Sequence, residues 1–171
     1  MKVLIIVDMQ HDFIDGSLGT KEAVAIVPRV LERVKYFDGY KIFTQDTHGA
    51  DYLQTEEGKN LPVPHCIKGT KGWQILPELL IYADEPALEK ETFGSMELGK
   101  KLQKLNQKEK VENIELLGLC TDICVMANAL IAKTFMPNTP IFVNASCSAG
   151  VTPESHERAL QAMEVCHIKR C

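Results

Sequence analysis

Short, largely apolar runs recur along the chain at residues 3–7, 41–44, 87–89, 114–119 and 141–143. They do not alternate polar with apolar positions. This pattern predicts strands covered on both faces, as in a parallel sheet. Between them the apolar positions fall at helical spacing. Val24, Val27, Val30, Leu31 and Val34 predict a helix over residues 24–36, in which Pro28 is tolerable only near the start. Ser95 opens a helix over residues 95–105, with Glu97 nearby and Leu98, Leu102 and Leu105 on one face. Residues 122–135 are apolar on most sides and predict a buried helix. Thr152-Pro153-Glu154 supplies an N-cap, a proline at the first helical position and an acid in the first turn. The helix it starts runs to about residue 165, and residues 167–169 predict a last strand.

Strands alternating with helices imply βαβ units, hence a three-layered, Rossmann-like α/β fold. Residues 46–73 break the rhythm. They are long, polar and rich in Gly and Pro, and such a loop in a compact domain carries function or is disordered. The length, 171 residues, predicts one domain over residues 1–171. An apolar fraction of 45% excludes a disordered chain. With 19 basic against 23 acidic side chains and no basic stripe, nucleic acid is not expected as a partner. No run approaches the ~18 apolar residues of a membrane span, and residues 3–7, closed by Asp8, are too short for an export signal. A cytoplasmic location follows as an expectation. There the six cysteines, Cys66, Cys120, Cys124, Cys147, Cys166 and Cys171, read as free thiols, ligands or a nucleophile rather than disulfides.

In open parallel sheets, ligands bind beyond the carboxyl ends of the strands. Asp8 ends the first strand, Asp46 and His48 follow the second, Lys90 ends the third, and Cys120 to Cys124 follow the fourth. Cys124 falls in the first turn of a helix, where unpaired N–H groups and the helix dipole lower a thiol pKa. The competing reading is a buried helix cysteine, since Val125, Met126 and Ala127 follow it. As a nucleophile it needs a base, for which Asp8 is suited, and a cation, for which Lys90 is suited. Backbone N–H groups of residues 119–124 are candidates for an oxyanion hole. Asp46, His48 and His65 form a second constellation: two imidazoles and a carboxylate leave open positions on a metal. Cys66, beside His65, is a competing ligand.

Val7-Asp8-Met9-Gln10-His11-Asp12-Phe13, Lys90 after a short strand, and Gly118-Leu119-Cys120-Thr121-Asp122-Ile123-Cys124-Val125 resemble the isochorismatase-like cysteine hydrolases. Asp46-Thr47-His48 and Pro64-His65-Cys66 are similar to the metal loop of the nicotinamidase/pyrazinamidase branch. The resemblance implies a six-stranded parallel sheet flanked by helices and a homo-oligomer. It implies Cys124 as nucleophile, Asp8 as its base and Lys90 as third catalytic member. It further implies a cis peptide between Leu119 and Cys120, the Cys120 and Cys124 N–H groups as oxyanion hole, and Phe13, Leu119 and Ile123 at the substrate. The implied activity is hydrolysis of a small planar amide, nicotinamide first, with a divalent metal such as zinc on Asp46, His48 and His65.

Two departures bear on the substrate. The branch often carries Trp three residues before the last metal histidine, where this chain has Pro62. It often has a further histidine where this chain reads Gly49-Ala50-Asp51-Tyr52. Trp73 either replaces the missing aromatic or belongs to the core. One rival reading keeps the fold with another substrate and no metal. A second makes Cys120 and Cys124 a redox or metal-binding pair. His156 and Glu157 read as surface residues, Lys100, Lys101 and Lys104 as a solvated face, and residues 144–150 carry no assigned chemistry. With little chain left for a lid, closure of the pocket is expected from a neighbouring subunit.

Overall fold

The computed structural model describes residues Met1–Cys171. In chain order the elements are β1 (Lys2–Val7), α1 (His11–Ile14), α2 (Lys21–Tyr36) and β2 (Tyr40–Asp46). A 3₁₀ turn at Tyr52–Gln54 leads to α3 (Glu56–Asn60), α4 (Pro77–Leu80), β3 (Leu88–Lys90), α5 (Met96–Lys108) and β4 (Asn113–Leu119). A π-helical turn at Thr121–Val125 then opens α6 (Met126–Phe135), followed by β5 (Ile141–Ala149), α7 (Pro153–Val165) and β6 (Ile168–Arg170).

The six strands lie in the order β3-β2-β1-β4-β5-β6, and every pairing is parallel. This is the expected three-layered α/β architecture. The chain builds outward from β1 to β3, then returns to place β4 on the other side of β1. The carboxyl ends of β1 and β4 therefore flank the topological switch point, where open sheets bind ligands.

Both faces of β1 are covered, which is why its sequence is a solid apolar run. Val3, Ile5 and Val7 pack against Leu98 and Leu102 of α5 and Ala129 and Ala132 of α6. Leu4 and Ile6 pack against Ile26, Val30 and Val34 of α2. The period of two along the strand sends alternate side chains into separate layers. No helix is long and apolar enough to cross a membrane.

Two elements differ from expectation. α2 starts at Lys21, because Thr20 caps it by accepting from the Ala23 N–H. Its buried stripe is Ala23, Ile26, Val30 and Val34, which leaves Val24 exposed, and Pro28 lies mid-helix on the solvent side. β5 continues past residue 143 to Ala149. Its register on β4 jumps from Leu116↔Val143 to Gly118↔Ser148, so residues 144–147 bulge. Polar side chains concealed this stretch. Asn144 donates to Glu115, which is also held bidentately by Arg33.

Gly118 has a φ of +120° and is paired with Val7, and a Cβ there would lie 2.2 Å from the Val7 carbonyl oxygen. Any side chain pushes β4 off β1 beside Asp8. Gly118→Ala is expected to lower unfolding free energy by about 2 kcal/mol or more in urea titrations. An unchanged midpoint would show that the two strands separate freely here.

Candidate active site

The residues expected at the strand ends meet at the switch point. Asp8 follows β1, is fully buried, and has a φ of +49°, in the sparsely populated left-handed region. Thr44 of β2 donates to Asp8 Oδ1 at 2.6 Å. Lys90, closing β3, places Nζ 2.7 Å from Asp8 Oδ2 and 3.0 Å from Asp46 Oδ1. The same ammonium lies 3.5 Å from Cys124 Sγ. Cys124 sits in the π turn that joins β4 to α6. Such turns are widened insertions into a helix and recur at functional sites. The Leu119–Cys120 peptide is cis, and the Cys120 N–H has no hydrogen-bond partner within the chain.

The electrostatics correct one expectation. The Cys124 thiol is pushed well above its ordinary pKa, first by burial and then by the Asp8 charge, against the lowering pull of Lys90. Burial in this site outweighs the helix dipole that argued for a lowered value. Burial also raises Asp8, with Lys90 opposing it. For Lys90, burial acts to lower the pKa, but Asp8, Cys124 and Asp46 together raise it. The arrangement thus places a buried thiol beside the Asp8 carboxyl group and the Lys90 ammonium. Cys120 is pushed up to about 12 by burial, then by Asp122 and Asp8. It precedes the π turn, and all six cysteines are free.

Beside this triad, Asp46, His48 and His65 bring one ligand atom each to within 4.8 Å of one another. His48 Nε2 approaches Asp46 Oδ2 at 2.9 Å yet has no aligned hydrogen bond, and it is buried. An imidazole nitrogen and a carboxylate oxygen converging on one buried point suit a cation. His65 Nδ1 lies 2.9 Å from the Val63 carbonyl, which fixes the proton there and leaves Nε2 as the free donor. The residue set therefore fits a divalent metal of the zinc type.

Glu57 joins the cluster, with Oε1 3.5 Å from His65 Nε2 and 3.7 Å from His48 Nε2. Sequence reasoning missed it. Its only signal was an acid pair after Thr55, whose hydroxyl caps the Gly58 N–H and starts α3. A Cβ on Gly58 would lie 2.0 Å from the Tyr52 carbonyl, so α3 is pressed onto the Tyr52 turn. The Tyr52 ring meets both imidazoles edge-on at 4.9 Å. Cys66 does not join the ligands. It is buried, and its N–H donates to Asp12.

Gln10 straps the segment after β2 to the sheet. Its Nε2 donates to the Asp46 and Trp73 carbonyls, and its Oε1 accepts from the Asp46 N–H. Trp73 Nε1 donates to Thr47. Trp73 thus anchors the loop and does not line the cleft. That cleft, of about 1030 Å³, is lined by Cys124, Phe13, Ile123, His48, Glu57 and Phe93 among others. The Phe13 and His65 ring centroids are 5.5 Å apart. Leu119, expected at the substrate, is not there. Strand alternation turns its side chain into the core with Leu4 and Ile6. Phe93, half-exposed in the segment after Lys90, supplies an aromatic wall that the sequence reading missed. Pro62 is exposed. His156 is not a free surface residue, since its Nδ1 bonds the Thr121 hydroxyl at 2.8 Å.

Known proteins are similar to this chain along its length. The chain is 28% identical to a nicotinamidase/pyrazinamidase of Mycobacterium tuberculosis, over 99% of this chain and 97% of that one. A pyrazinamidase of Pyrococcus horikoshii, solved in complex with zinc, superposes with a TM-score of 0.80 at 29% identity, covering 99% of this chain and 98% of that one. The pyrazinamidase/nicotinamidase of Streptococcus mutans gives 0.82 at 28% identity, with both chains fully covered. The isochorismatase domain matches residues 2–169. With the sheet order, the strand-end triad and this match in agreement, the chain belongs to the isochorismatase domain family.

Proposed function

We propose that the protein is a cysteine-dependent amidohydrolase that converts nicotinamide to nicotinate and ammonia. The observation that carries this reading is the buried Lys90 ammonium, which touches Asp8, Asp46 and Cys124 at once. As Cys124 Sγ attacks the carboxamide carbon, Asp8 takes the thiol proton. The tetrahedral oxyanion accepts from the Cys120 and Cys124 N–H groups. The carbon–nitrogen bond then breaks, and Asp8 returns its proton to the departing ammonia, leaving a thioester. Asp8 next deprotonates a water that attacks the thioester. The carbon–sulfur bond breaks, Asp8 returns its proton to sulfur, and nicotinic acid leaves and ionises to nicotinate in solvent. Lys90 stays charged throughout and balances the negative charge as it moves between Asp8 and Sγ.

Asp46, His48 and His65, with Glu57 alongside, would hold a divalent ion such as zinc, supplying a Lewis-acidic anchor for the ring nitrogen. Phe13 and Phe93 offer the flat ring apolar faces. The cleft lining includes five carboxylates (Asp46, Asp51, Glu56, Glu57, Glu91) and neither Lys nor Arg. That balance favours an uncharged amide over an anionic substrate.

The test is ammonia release from nicotinamide by the purified enzyme, with quenched samples checked by mass spectrometry for an acyl group on Cys124. Turnover of a vinyl ether without ammonia release from any amide would overturn the reading. For the metal, His48→Ala is expected to reduce zinc well below the wild-type content in elemental analysis of protein purified without added ion. Equal zinc in the two proteins would remove the site.

A further inference from the structure

We infer that Asn128, four residues beyond Cys124, is a positioning residue that locks the nucleophile turn and the Phe93 loop to each other. The inference rests on Cys124 being the nucleophile, as proposed above. Asn128 is fully buried on α6. An amide side chain carries two N–H donors and one carbonyl acceptor, and here both ends are engaged. Oδ1 accepts from the Ser95 N–H at 2.9 Å. Nδ2 donates to the Cys124 carbonyl at 2.8 Å and to the Phe93 carbonyl at 3.1 Å.

These three partners are not arbitrary. Residues 91–95 leave the three-residue edge strand β3 directly after Lys90 and end at Ser95, the N-cap of α5. A strand so short holds its own exit weakly. The segment is pressed onto α6, where a Cβ on Gly94 would lie 2.5 Å from Ile131 Cδ1, and it is hydrogen-bonded there through Asn128. One side chain therefore fixes the aromatic wall of the cleft through Phe93 and the sulfur's backbone through Cys124. The two halves of the clamp serve different steps: the Phe93 half shapes the ring-binding surface, and the Cys124 half aims the thiol.

That division is testable because side chains of different reach remove different halves. In Asn128→Thr the hydroxyl can still donate to the carbonyl four residues back, but it is too short to serve Phe93 and Ser95 as well. This variant is expected to raise KM for nicotinamide about tenfold while kcat stays within about threefold of wild type. Asn128→Leu removes both halves. It is expected to raise KM similarly and also to lower kcat by about tenfold or more.

Alkylation of Cys124 by iodoacetamide, followed by peptide mapping, gives a readout that needs no substrate. The rate is expected to match wild type in the Thr variant and to differ severalfold in the Leu variant. Lowered thermal stability with kcat, KM and alkylation all unchanged would make Asn128 merely structural and overturn the inference. Equal loss of kcat in both variants would overturn it too. If the Leu variant fails to fold, the Thr variant decides alone: raised KM at preserved kcat supports the clamp, and any other split removes it. If wild-type enzyme releases no ammonia from nicotinamide, the proposed substrate fails, while the alkylation contrast still decides the role of Asn128.

Discussion

Cys124→Ser is expected to lower kcat for amide hydrolysis by at least ~10⁴-fold while leaving the fold intact. The substitution is close to isosteric, and Cys124 packs beside Val125 and Ala129 in the core layer against β1, so stability should change by less than about 1 kcal/mol. The chemistry is far less tolerant. Burial raises the thiol pKa, and Asp8 is a proton acceptor weakened by Lys90 and by the Thr44 hydrogen bond. A hydroxyl is much harder to deprotonate than a thiol, and nothing in the site compensates: the only cation touching Sγ is Lys90, at 3.5 Å. Residual activity would come from substrate binding and backbone donors alone. Ammonia assays on the variant, with urea unfolding as the control for folding, test this directly. A variant retaining more than a few per cent of wild-type turnover would remove Cys124 from the reaction.

The parts of this site legible in the sequence share one physical cause. Asp8, Asp46 and Lys90 stand at the ends of short buried strands and Cys124 in the turn just beyond one, and buried strands announce themselves as solid apolar runs. Once the runs imply a parallel sheet, the end positions are fixed by the register, without knowledge of any loop. Glu57, Phe93 and Asn128 were not legible for the opposite reason. Glu57 reaches the two histidines only because α3 folds back onto Tyr52, and Phe93 reaches the cleft only because its segment lies on α6. Asn128 looks from its sequence like a polar interruption in an apolar helix.

Leu119 failed on parity. It neighbours the right residues in the chain, but the strand alternation sends its side chain to the layer opposite Cys124. The thiol failed on a magnitude: a helix start lowers a pKa modestly, and near-complete burial beside a carboxylate raises it by more. His156 reads as a surface residue from its place on the last helix, whereas its partner Thr121 belongs to the π turn 35 positions away in the chain.

Lys90→Met is expected to lower unfolding free energy by about 3–5 kcal/mol at neutral pH, the usual consequence of leaving a buried charge without its partner. It is also expected to lower kcat by at least ~10²-fold. Methionine has similar length and fills the space, so packing contributes little to the loss. The deficit arises because Asp8, fully buried, would keep the Thr44 hydroxyl but lose its cationic partner. Its pKa, already raised by burial with Lys90 in place, would rise further.

The sign of the pH dependence follows. An acid whose folded pKa lies above its unfolded value binds protons more tightly in the native state, so stability falls as pH rises through that window. The window begins near the ordinary carboxylate value of 3.8. Lys90 in the wild type has a raised pKa, and its contribution is fully present below the unfolded lysine value of about 10.4. It is therefore constant across the same window. The gap in stability between wild type and variant should be small near pH 4 and widen steadily toward pH 7.5. Urea unfolding at closely spaced pH values measures it. A gap that stays constant from pH 4 to 7.5 would mean that the Asp8 charge does not depend on Lys90, and the ion pair at the centre of the proposed mechanism would have to be abandoned.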